Sequence, residues 1–311
     1  MRQETGVRRQ DAVRKRTGTQ ERRNLRNGLL FASPWIIGFL VFTAYPLLAS
    51  LYYSFCSYSG LCAPHWIGLD NYRQMFFEDD VFWKSLWNTM YMVVFALPLG
   101  LIAALGLALL LNQKVRGITI YRTIYYLPSL VPAVASAILW LWLFNPEIGL
   151  INTVLGKFGI PGPAWLGDPI WAKPAMVLMG VWGAGGGVII YLAGLQDVPT
   201  SLYEAAALDG AGVWSKFWHV TLPMISPIIF FNLIMGIIGM FQYFTQAYVM
   251  TKGGPQDSTM FYALHLFMGA FVDWKMGYAS AMAWVLFAIT LVCSLVVMKS
   301  SARWVYYGGG D

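Results

Sequence analysis

The chain has 311 residues, of which 58% are apolar and only 12% charged, with a formal net charge of +6. A soluble domain carries about twice that share of charge, so a soluble globular fold is excluded, and the polar stretches are too short to fold alone. The positive excess sits in one tail and beside apolar runs, which points to orientation in a membrane and not to nucleic acid.

The N-terminal tail, residues 1–28, is basic and has no apolar core. The apolar run that follows, residues 29–54, is too long for a cleaved signal peptide and lacks a small-residue cleavage site, so it reads as a retained anchor. Six segments contain no Asp, Glu, Lys or Arg: Leu29–Ser54, Asn88–Leu111, Thr123–Phe144, Pro174–Leu195, Met224–Met250 and Met276–Met298. Each exceeds the roughly 20 residues that cross about 30 Å of hydrocarbon as a helix. Helix is the expected state, because a segment in lipid must satisfy its own backbone. The expected architecture is therefore all-α and polytopic. It has a first span at 29–54, an outer loop at 55–87, a core of five spans over 88–299 and a tail at 300–311. Pro46, Pro98, Pro128, Pro132 and Pro227 should kink these helices without ending them.

Lysine and arginine set the orientation. With the N-terminus inside, only Arg73, Lys84, Lys157, Lys173, Lys252 and Lys275 of the 21 basic residues fall outside. Both termini are then expected on the cytoplasmic face. The outer stretches are aromatic, and Gly253-Gly-Pro255 is a chain breaker. After it, Thr259–Phe271 is patterned as a short amphipathic helix lying along the interface. Cys56 and Cys62 share an outer stretch, where a disulfide and two free thiols are both open readings.

One inner segment, 196–223, lacks the positive excess. Ser201 followed by Glu204 fits a capping box, Ala205–Ala207 favour helix, and Gly210 fits a C-terminal stop. Asp209 sits at the helix C-terminus, where the macrodipole disfavours a carboxylate, and the alanine face leaves a partner surface unobstructed. A second helix near Val213–Leu222 puts Trp214, Phe217 and Trp218 on one face, expected to pack on the membrane domain. Pro223 should then turn the chain into the fifth span. A docking element fits this loop better than a purely structural one.

Glu204-Ala-Ala-Ala-Leu-Asp-Gly-Ala211, with Leu222-Pro223 and Pro227, resembles the EAA signature of permease subunits of binding-protein-dependent ABC importers. Tyr121–Pro128, Trp142–Asn152 and Thr251–Pro255 resemble its sugar branch, of the maltose and glycerol-phosphate type. The likeness covers roughly residues 29–299. It implies a type I importer permease of the bacterial plasma (inner) membrane, paired with a second, homologous permease. It further implies two copies of an ATPase subunit underneath, which hold ATP and magnesium, and an extracytoplasmic solute-binding protein that delivers a sugar. Glu204, Ala205, Ala206, Asp209 and Gly210 would form the helix that docks on the ATPase.

The chain has no phosphate-binding glycine loop, and its charge-free spans argue against coupling to protons or sodium. No cofactor is expected in this chain, and no catalytic constellation or metal cluster is legible in it. The contrasting reading is a secondary carrier or facilitator working alone, which the charge-free spans and the 196–223 loop disfavour. For a sugar path, Asn232, Gln242, Tyr243 and Gln246 offer polar atoms in the fifth span, and Gly183–Gly187 strips one wall of the fourth. Interhelical hydrogen bonding and close packing explain these residues equally well. By the resemblance, Gly183, Gly186, Gly239, Met240 and Tyr243 occupy sugar-contacting positions. Most of these are small or apolar here, where the maltose protein has aromatics and amides.

Overall fold

A computed structural model describes residues 20, 23–113 and 115–307. The expected basic tail lies mostly outside the described residues, as do Lys114 and the last four residues. Four long apolar helices are present: α1 (Arg23–Tyr53), α3 (Asp80–Leu111), α10 (Val213–Met250) and α12 (Met276–Ser301). Two bent pairs complete the bundle. The first joins α4 (Ile118–Leu130) to α5 (Ala133–Leu143) at 97°, and the second joins α7 (Pro169–Trp182) to α8 (Gly185–Asp197) at 45°. Shorter elements sit at the ends: the hairpin β1 (Cys56–Ser57) and β2 (His65–Trp66), α2 (Asp70–Phe77), α6 (Leu150–Lys157), α9 (Thr200–Leu208) and α11 (Tyr262–Phe271). Most helices run past the charge-free segments, because a helix continues into its polar ends after leaving hydrocarbon. Residues 23–28 thus belong to α1 and not to a tail.

Three prolines are absorbed by the same device. The five-residue turns Leu40–Ala44, Met92–Ala96 and Phe217–Thr221 are π-helical. Each precedes a residue–proline pair, Tyr45-Pro46, Leu97-Pro98 and Leu222-Pro223. The residue before each proline donates to the carbonyl five positions back, to Leu40, Met92 and Phe217. A proline has no N–H, and its ring clashes with the carbonyl four back. Widening the turn relieves the clash and keeps the helix unbroken. Pro223 therefore does not turn the chain; α10 runs through it. Pro227 and Pro128 also lie inside helices. Pro132, expected to kink, instead ends α4. Its preceding residue Val131 is pushed to an extended ψ of 127°, as a residue before proline prefers. Pro128 one turn earlier has already cost that helix a donor.

The two largest of four core regions lie toward opposite ends of the bundle. Toward α9, Ala104, Ala108 and Leu111 of α3 pack on Val188, Tyr191 and Leu195 of α8 and Ile225 of α10. Toward the opposite end, Met92 and Ala96 pack on Trp140 and Phe144, Met176 and Met179, and Phe261 and Leu264. Small residues permit the closest approaches. A Cβ on Gly185 would meet the Tyr125 carbonyl of α4, and one on Gly194 would meet Ile228 of α10. The helix α11 begins at Tyr262, not Thr259, and is no interfacial helix. Phe261, Tyr262 and Leu264 are fully buried, and α11 packs between α3 and α12.

Polar bonds close the end opposite α9. Asp79 caps α3, accepting from the Val81 and Phe82 amides at 2.9 and 3.1 Å. Its other oxygen accepts from the Tyr278 hydroxyl and lies 2.8 Å from His265 Nε2. Asn88 donates to the carbonyls of Asp257 and Met260 and accepts from Lys173. Cys56 and Cys62 are free thiols, buried and exposed respectively.

Two outcomes test this packing. Gly185→Ala sets a Cβ against backbone that cannot swing away, and should cost about 1–3 kcal/mol, read as a lower melting temperature. Gly106→Ala, with open space at its Cβ, should cost nothing. Burial acts to raise the Asp79 pKa, but the bonds from Tyr278 and His265 outweigh it and hold the carboxyl below its ordinary range. The stability it adds is complete above the ordinary aspartate value of about 3.9 and is lost as pH falls through the lower folded value. Melting curves of the native protein should therefore lose more between neutral and strongly acid pH than those of Asp79→Asn.

Candidate functional site

The helix α9 is short, exposed and fixed at both ends. Its N-cap is Pro199, and no side chain caps it. The capping box expected of Ser201 and Glu204 does not form, because Thr200 already begins the helix and Ser201 lies within its first turn. The C-terminus closes as a Schellman motif. The Ala211 amide donates to Ala206 O at 2.9 Å and the Gly210 amide to Ala207 O at 3.1 Å. Gly210 has φ +78°, a conformation open to glycine and costly for other residues. Glu204, Ala205, Asp209 and Gly210 are exposed and Ala206 is half-buried. One polar bond ties α9 to the bundle: the Tyr203 hydroxyl lies 2.9 Å from Thr221 Oγ1, inside the π turn at the base of α10.

An apolar surface adjoins α9. Leu208 is 90% exposed, Val213 84% and Trp214 75%. Trp214 and Trp218 therefore do not pack on the membrane domain as their spacing suggested. The first turns of α10 project beyond the bundle, and only Phe217 of the three is half-buried.

A cavity of about 330 Å³ lies between α3, α7, α8 and α10. Two of the helical interruptions border it. Gly183 and Ala184 separate α7 from α8, and helical structure lapses over 242–244 in α10. Gly183, Asn232, Met240 and Tyr243 line it, joined by Gly100 of α3 and Gly180 of α7. The Asn232 amide donates to Ile228 O, which leaves its side-chain oxygen for another donor. Gly180 and Gly183 are exposed, so the cavity opens on one flank. No Asp, Glu, His, Lys or Arg lines it.

The other path candidates sit elsewhere. Gln242 lines a separate groove beside Thr290 and Ser294 of α12. Gly186 faces Ser129 of α4, Gly239 faces open space, and Gln246 is half-buried. The lining from α3, notably Gly100, gave no sequence signal beyond being a small residue in a span. Among the described residues, no group of three His, Cys, Asp or Glu could hold a metal ion.

Residues 96–305 match the family model described as "Binding-protein-dependent transport system inner membrane component". The probable ABC transporter permease protein YesP of Bacillus subtilis (strain 168) is 46% identical, over 90% of this chain and 92% of its own length. The sulfoquinovosyl glycerol transport system permease protein SmoG of Agrobacterium fabrum is 36% identical, over 87% of this chain and 89% of its own. The fold resembles a chain of a bacterial ABC transporter involved in importing the acidic polysaccharide alginate. The TM-score is 0.79 at 25% identity, covering 92% of this chain and 99% of that one.

Tyr203→Phe removes the bond between α9 and α10. A net hydrogen bond is worth about 0.5–1.5 kcal/mol, so amide exchange over 200–210 should quicken roughly 2- to 13-fold. Exchange in α3 should not change.

Proposed function

The chain belongs to the family of binding-protein-dependent transport system inner membrane components, and on that premise we propose that it is one of two permeases of an ATP-driven sugar importer. In this reading α9 and both termini face the cytoplasm, and the hairpin end faces outward. The lysine and arginine distribution supports that orientation. A solute-binding protein delivers a sugar or oligosaccharide to the outer face. A second, homologous permease closes the open flank of the cavity, and two ATPase subunits bind beneath, one of them on α9.

The observation that carries this reading is α9 itself. It is solvent-exposed, closed by a Schellman motif and bonded through Tyr203 to the base of α10. The far part of α10 carries Met240 and Tyr243 into the cavity. A partner that grips α9 differently with and without ATP therefore acts on the helix that shapes the cavity wall. Such a partner shifts the balance of inward- and outward-facing states by its differential affinity for them. The cavity lining holds no Asp, Glu, His, Lys or Arg for ion coupling, consistent with energy that enters from another chain. The ATP chemistry and its magnesium belong to that partner. Glu204 contributes an exposed carboxylate to the docking face, Ala205, Ala206 and Asp209 its surface, and Gly210 the turn that fixes its shape.

Replacing Gly210 by Val forces a β-branched residue into a left-handed backbone, at a cost of about 1–3 kcal/mol. The expected result is loss of both ATPase co-purification and ATP-driven uptake in vesicles, with the permease still inserted. Glu204→Ala should weaken both less severely. Unchanged co-purification and uptake in both variants would remove α9 from the coupling role.

A further inference from the structure

We propose that the outward end carries a carbohydrate site of its own, selective for sugars bearing a carboxylate or sulfonate. It is a cleft of about 390 Å³ between the β1–β2 hairpin, α2 and the turn before α12. That volume lies within the roughly 300–1,000 Å³ of small-molecule sites. The proposal rests on the sugar-import reading and its orientation, and deepens them.

The lining differs in kind from the other two concavities. The cavity in the bundle is walled mainly by aliphatic side chains and glycine, and the groove beside Gln242 is largely apolar. The outer cleft presents Ser57, Gln74 and His65 as hydrogen-bonding groups, with Trp274 and Lys275 at its edge. Sugars are bound by this combination, since an indole face covers the apolar side of a ring and side-chain dipoles meet its hydroxyls. No Asp or Glu lines the cleft. Lys275 takes no part in the ion pairs formed among the described residues. The one fixed positive charge therefore favours an anionic ring over a neutral one.

Trp274 strengthens the case. It is 52% exposed and held at φ +57°, a left-handed conformation that is strained for a bulky residue and concentrates at ligand clamps. The turn is held from both sides. The Asp273 amide donates to Met268 O and the Lys275 amide to Gly269 O, at 2.9 and 2.8 Å. The facing wall is also rigid. The Gly277 amide donates to Tyr58 O at 2.9 Å, and a Cβ at Gly277 would strike the Cys56 carbonyl. Asn71 donates to the carbonyls of Ser54 and Cys56, locking α2 under the hairpin. The site is thus preformed, which limits the ordering cost of binding.

The exposed thiol of Cys62 lines the same cleft and serves as a native reporter. Its modification by a membrane-impermeant maleimide is timed in the detergent-purified chain with glucuronate, glucose, acetate or no addition at matched ionic strength. Glucuronate should slow labelling at least 5-fold at millimolar concentration and glucose much less, with acetate without effect. Trp274→Ala and Lys275→Gln should abolish the protection, each measured against that variant's own unprotected rate, because both residues line the cleft with Cys62. Equal protection by acetate, or none by glucuronate, overturns the proposal. So does protection that only a solute-binding protein confers, which would make the cleft a docking face. The same labelling in right-side-out vesicles tests orientation separately: a Cys62 that reacts only after permeabilisation overturns the topology and leaves the detergent result standing.

Discussion

Closure of backbone hydrogen bonds inside hydrocarbon is the constraint on which this structure depends. An open donor or acceptor there costs several kcal/mol, yet the sequence places prolines and glycine runs in its spans. Three prolines are taken up by π turns that shift the bonding by one residue and leave the helix continuous. Where Pro128 and Pro132 fall one turn apart, the helix breaks and the chain turns by 97°. Irregular backbone at membrane depth is tolerated where it is covered by protein or borders a cavity. The interruptions at Gly183–Ala184 and at 242–244 follow that rule, since both border the same cavity.

The cavity and α9 are joined by one long helix. Toward α9, Ile225 and the π turn of α10 pack with α3 and α8. At its far part, Met240 and Tyr243 pack with α5 and the Phe261 region. From its π turn to Phe241, just past Met240 and before the lapse at 242–244, α10 is continuously helical and can relay a displacement at its base, and Tyr203 supplies the attachment. The first helix stands apart from this arrangement. It meets the bundle mainly through α12, where Trp284 Nε1 donates to Ser50 Oγ. The match to the family model begins only at residue 96.

Much of this was legible in the sequence, because hydrocarbon excludes charge so strongly that charge-free stretches mark where each span lies. The same criterion could not place helix ends such as Asp80 or Ser301, since a helix does not stop where its lipid environment does. Gly210 was legible because only glycine accepts its backbone conformation cheaply. Ser201 misled because a capping box and the first turn of a helix that starts one residue earlier share the same residues. Trp214 and Trp218 looked like packing residues because helical spacing reports a face but not what covers it. The contacts of Asp79 with His265 and Tyr278 join residues almost 200 positions apart, a distance at which a single sequence carries no pairing information. In the cavity, Gly183, Asn232 and Tyr243 were legible from their residue types and Met240 only through the resemblance, whereas the contribution of α3 needed its packing against α8.

The central claim is that α9 is where a partner's energy enters the chain. It is tested most directly by the accessibility of a thiol at Ala205 in the assembled transporter. Ala205→Cys should react freely with a maleimide in the isolated permease. Once ATPase subunits are bound it should be protected, and a short bifunctional reagent should link it to an ATPase chain. A thiol at Ala205 that stays equally reactive in the complete, transporting assembly would contradict the account.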